Sequence, residues 1–179
     1  PSVTFAMYTA SPTLNFNKSS ATLSEISKMC MSCHDGVTAL NSMANPTPMN
    51  AGADQLGDVW QEGIMGTWGP NIGEGDPSGP SGGGNLTNDH PVSFEYLESE
   101  ADPTIKTSTG SSINGLPLWN NGDGKYRVEC VTCHDPHINY GYWSYRQGTD
   151  NFTAGDKTLA PFLRISNEGS ALCFSCHNK

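Results

Sequence analysis

Three things are scarce in this chain of 179 residues: long apolar runs, positive charge and the makings of long regular elements. A membrane-crossing helix needs about 20 consecutive apolar residues. The best run here, Ala160 to Ile165, is short and contains Arg164, so no membrane span is expected. Lys and Arg number 9 against 18 Asp and Glu, for a net charge of −9. Nucleic acids and anionic membrane surfaces recruit clustered cations, so neither is an expected partner. The first residues also lack the basic, apolar and small-residue succession of an export signal. Either such a signal was removed ahead of Pro1 or none was present.

The chain carries 20 glycines and 12 prolines, above the ordinary background. Long helices and wide sheets are therefore not expected, and the length fits a single domain, 1–179. A loop-rich chain of this size needs something besides its own side chains to complete a core.

The cysteines supply a candidate. All 6 fall in one repeated frame: Cys30-Met31-Ser32-Cys33-His34, Cys130-Val131-Thr132-Cys133-His134 and Cys173-Phe174-Ser175-Cys176-His177. A disulfide framework gives no reason for a histidine after every pair. A structural zinc site takes such pairs two at a time, and three pairs leave a remainder. C-x-x-C-H is the attachment sequence of c-type haem. The two thiols of each frame bond to the porphyrin vinyl groups, and His34, His134 or His177 reaches the iron. Three covalent haem c groups are thus expected. The expected fold is mostly irregular, with a few short helices and minimal strand, wrapped around a haem chain as one trihaem domain.

Of the 5 histidines, only His90 and His137 lie outside the frames, and both are candidate distal ligands. His137 follows His134 after Asp135 and Pro136. So short a segment, stiffened by proline, cannot wrap to the far face of the haem that His134 holds. His137 is therefore expected to ligate a different haem and to hold two of them close. The expected pairing puts His90 on the first frame's haem and His137 on the third. Three bis-histidine irons need six histidines and 5 are present, so one iron differs. Met7, Met43, Met49 and Met65 are freer to complete it than Met29 and Met31, which belong to the first frame. Water or an open position, the Pro1 amine and a partner's side chain are the alternatives. Most methionines, with Tyr140, Tyr142, Trp143 and Tyr145, are expected to pack against porphyrin.

Locally, Ala21 to His34 reads as a short helix, with Thr22 and Glu25 as a capping box and Leu23, Ile26 and Met29 at helical spacing. Asn45 to Asn85 reads as loop, most flexible at about 73–85. Pro91 is expected to hold His90 extended. Asn121 to Gly124 reads as a turn entering a strand at Tyr126 to Glu129; a calcium loop there has the wrong acidic spacing. A second short helix at Ser166 to Lys179 is expected to carry the third frame. Three sequons, at Asn17, Asn85 and Asn151, are weak signals.

The segments "FAMYTASPTL", "SKMCMSCHDGVTAL", "NLTNDHPVSF", "ECVTCHDPH" and "FLRISNEGSALCFSCHNK" resemble multihaem c-type cytochromes with doubled C-x-x-C-H motifs, including extracellular filament-forming members. The resemblance covers most of the chain. It implies distal roles for the histidines of N-D-H-P and C-H-D-P-H, here His90 and His137. Relatives often carry a further C-x-x-C-H-x-P-H frame upstream of the segment matching Phe5 to Leu14, and this chain begins at Pro1 without it. The expected function is electron transfer, not catalysis, in an extracellular head-to-tail filament. Its partners would be other copies of the chain, other redox proteins or extracellular acceptors. A periplasmic carrier and a small-molecule reductase using the underligated haem are the alternatives.

Overall fold

Where glycines and turn residues interrupt the chain this often, each regular element is short and its neighbours must hold it. The computed structural model describes residues 5–8, 22–32, 34, 86–87, 89–96, 102–139, 143–144, 151–152, 155–159 and 162–178. Its helices are α1 (Glu25–Met31), α2 (Cys130–Cys133) and α3 (Ala171–Phe174). Its strands are β1 (Phe94–Glu95), β2 (Ser112–Ile113), β3 (Leu116–Pro117), β4 (Trp119–Asn120), β5 (Tyr126–Val128), β6 (Trp143–Ser144) and β7 (Asn151–Phe152). The 73–85 loop, Pro1, Cys33, Met43, Met49, Met65, Tyr140, Tyr142, Tyr145, Asn17 and Asn85 lie outside the described residues.

Asn114 and Gly115 have φ of 45° and 86°. Two successive positive values make the tight turn whose twist matches that of antiparallel strands, and this turn joins β2 to β3, pairing Ile113 with Leu116. β5 lies between β1 and β4, both antiparallel to it, with Phe94 opposite Val128 and Trp119 opposite Arg127. The β4–β5 connection contains the expected turn. Gly122 and Gly124 take positive φ, and Asp123 accepts from the Lys125 N–H and from Arg127. Strand β5 stops at Val128, one residue before the expected end, because Glu129 caps α2.

These strands bury Phe94, Tyr96, Ile113, Leu116, Leu118 and Val128, and Ile165, Leu172 and Cys176 pack onto them. The third cysteine frame is thereby seated on the sheet. A second cluster joins Leu23, Met31 and Leu86 to Phe5, Met7 and Val92. Met7 and Met31 are therefore packing residues here.

Helix α1 differs from its expected form. It starts at Glu25 with Ser24 as N-cap and no side-chain cap, so Glu25 is too early to act as the far member of a box with Thr22. The Ser24 N–H is taken instead by the Ser93 hydroxyl at 2.9 Å. The inward face is also different: Ser27 is fully buried and Met29 is 70% exposed. Ser27 turns inward because its hydroxyl donates to the buried Glu129 carboxylate at 2.6 Å. The terminal helix is shorter than expected. A single turn at Glu168–Ser170, with positive φ at Gly169 and Ser170, precedes α3.

Leu116 is 1% exposed at the centre of the larger cluster. Leu116→Ala is expected to lower stability by about 2–5 kcal/mol, read from the shift of the denaturant unfolding midpoint. An unchanged midpoint would contradict this core.

Candidate haem attachment site

In a helical turn, residues i, i+3 and i+4 share one face, so a C-x-x-C-H segment folded as one turn presents both thiols and the imidazole together. All three frames close such a turn. The His34 N–H donates to the Cys30 carbonyl at 3.1 Å, the His134 N–H to Cys130 at 3.0 Å and the His177 N–H to Cys173 at 3.0 Å. The second frame is opened by Glu129, whose N–H donates to the Thr132 hydroxyl at 2.9 Å and whose backbone carbonyl accepts the Thr132 N–H at 2.9 Å. The third is held at its C-terminal end: Asn114 donates to the Ser175 carbonyl at 2.7 Å, and the Lys106 ammonium donates to that of Phe174. A cation and an amide on the last carbonyls satisfy groups that a helix leaves open.

The five described cysteines, Cys30, Cys130, Cys133, Cys173 and Cys176, form no disulfide. The Cys130 thiol lies against Cys30. Hydrogen bonding between the two holds Cys30 down to about 7 and pushes Cys130 up. Burial pushes Cys133 up to about 11, with smaller contributions from the charges of Cys176 and Cys173. Burial raises Cys176 as well. The second frame thus touches the first through Cys30. Arg164 donates its N–H to the Cys133 carbonyl at 2.9 Å and Leu163 bridges to His134, which ties the second frame to the segment leading into the third.

The two remaining histidines share one preparation. His90 sets Nδ1 against the Pro91 carbonyl at 2.9 Å, and His137 sets Nδ1 against the Asp135 carboxylate at 2.9 Å. Because both partners only accept, each Nδ1 donates, which in the neutral ring leaves Nε2 as the nitrogen able to bind a metal. Asp135 is itself fixed by Arg164 at 2.9 Å. Hydrogen bonds from the His137 backbone and ring, with the Arg164 charge, lower its pKa.

The His90 and His177 rings stand with centroids 6.4 Å apart and planes at 77°. At that separation His177 and His90 would be able to hold one haem iron, whose chemistry when bound is one-electron exchange. The expected pairing put His90 with the first frame, whereas its described ring contact is with the third. Phe94 of β1, four residues after His90, belongs to the cluster onto which Leu172 and Cys176 of the third frame's segment pack. His137 is 91% exposed.

Sequence reading missed Glu129 and Asn114. Asn114-Gly115 was a legible hairpin signal, but nothing local announced that Glu129 would be buried. Among the described residues, no three His, Cys, Asp or Glu side chains are gathered as a bare-metal site, and no helix is long and apolar enough to cross a membrane. Compared with known proteins, the chain matches no family model and no curated protein.

A depressed carboxyl pKa contributes stability above the unfolded value, about 3.9 for Asp, and loses it as pH falls through the folded value. The Asp135 hold on His137 is thus fully present at neutral pH and lost in acid. Asp135→Asn is expected to remove that part of the acid transition, followed by circular dichroism from pH 7 to 2. Superimposable wild-type and variant curves would count against this role.

Proposed function

We propose that the chain is an electron-transfer protein carrying three haem c groups, exported from the cytoplasm and assembling head to tail into an extracellular filament. The observation that carries this reading is the threefold recurrence of C-x-x-C-H, each time closed by a hydrogen bond from the histidine N–H to the carbonyl of the first cysteine. Cys30 and Cys33, Cys130 and Cys133, and Cys173 and Cys176 would hold the porphyrins. His34, His134 and His177 would be the proximal ligands, with His90 opposite His177. The haem supplies one-electron exchange between ferric and ferrous iron. The protein's part is to present the frames and to orient His90 and His137 through their Nδ1 partners.

The outward-facing His137 supports a partner role, because an exposed ligand oriented by a carboxylate is suited to an iron on a neighbouring copy. The histidine count supports a second reading, a small-molecule reductase at the underligated iron.

Expression with c-type maturation should add three haem masses to the chain. Low-temperature electron paramagnetic resonance should show an iron that is not bis-histidine. His90→Ala should convert one low-spin iron to high-spin while all three haems stay attached. Fewer than three haems would sink the cytochrome reading. Electron microscopy showing only monomers would remove the filament, and failure of the reduced protein to bind carbon monoxide would remove the reductase.

A further inference from the structure

Glu129 is 1% exposed and immediately precedes the first cysteine of the second frame. Its Oε2 accepts from Ser27 at 2.6 Å and from Ser93 at 2.8 Å, while its Oε1 is buried without a hydrogen-bond partner. Ser27 lies one helical turn ahead of Cys30, and its hydroxyl also accepts the Cys130 N–H at 3.2 Å. The carboxylate therefore sits at the junction where the first and second frames meet. Among the described ion pairs, none involves Glu129: Arg127 and Lys125 pair with Asp123 and Glu95, and Arg164 with Asp135. No described hydrogen bond joins Glu129 to the third frame, whose carbonyls are held by Lys106 and Asn114.

We infer that Glu129 is a shared electrostatic tuning residue that lowers the reduction potentials of the haems on the first and second frames and leaves the third nearly untouched. This rests on the trihaem reading above. Ferric haem carries one more positive charge than ferrous haem, so a nearby anion favours the ferric form. In a buried setting that preference is weakly screened, whereas a surface carboxylate is screened by water and salt. Two hydroxyl donors keep the charge in place but do not neutralise it. One residue thus biases two adjacent redox centres in the same direction and makes the third the more readily reduced end, other ligands being equal.

The test is spectroelectrochemical titration of the purified holo-protein, resolved into three one-electron components. Glu129→Gln removes the charge and keeps the volume. Two components should move to higher potential, each by about tenfold in the ferric-to-ferrous ratio at a fixed applied potential, or about 59 mV, with the third unmoved. Glu25→Gln, on the same helix as Cys30 but with its side chain 84% exposed, should move none. A uniform shift of all three components, or no shift, overturns the inference. If Glu129→Gln loses haem, Ser93→Ala keeps the charge and removes one opposing hydroxyl dipole. The same two components should then move down, and a rise or no change overturns the inference. Haem counting by mass on the wild type separates the two failures, since fewer than three haems refutes the cytochrome reading and says nothing against Glu129.

Discussion

The hydrogen bonds that converge on the Glu129 carboxylate join parts of the chain that have little else in common. Ser27 belongs to α1, Ser93 leads into β1, and Glu129 itself caps α2. A buried carboxylate is costly unless polar groups surround it, so its position requires both hydroxyls to point inward. That requirement explains why α1 buries a serine and exposes a methionine. Burial of the apolar cluster around Leu23 and Met31 then follows from the orientation that Ser27 is forced to take.

The rest of the architecture is a small sheet with a cysteine frame on it. Tyr96, Ile113 and Leu116 provide the buried surface, and the tight turn at Asn114-Gly115 does two jobs. It sets the β2–β3 register, and the Asn114 side chain secures the third frame. The second frame is reached from this sheet through Val128, which continues directly into Glu129. All three frames therefore depend on β5: the third by packing, the second by chain continuity and the first through the Ser27 contact.

The frames and the helical character of the first and third were legible in the sequence, because residue type and spacing act locally. The turn at Asn121 to Gly124 was legible for the same reason. The orientation of α1 was not. Leu23, Ile26 and Met29 have helical spacing, but spacing cannot reveal a carboxylate 102 residues away from Ser27. The ring contact of His90 with His177 was hidden too, since an extended segment before a proline has no intrinsic preference for one frame over another. Its approach to His177 is a product of sheet geometry, which periodicity does not encode. Electron transfer, filament assembly and extracellular location rest on the frames and the resemblance.

The Ser27–Glu129 contact also imposes an order of events on the growing chain. Closing a loop of 102 residues carries an entropic cost of about 4 kcal/mol beyond a constant, from the logarithmic dependence on length. The hairpins around Asn114 and Asp123 close over a few residues and can form early. The first frame is synthesised first, yet its helix cannot find its seat until Glu129 has emerged. Of the three frames, the one that begins at Cys30 therefore waits longest between its synthesis and its docking.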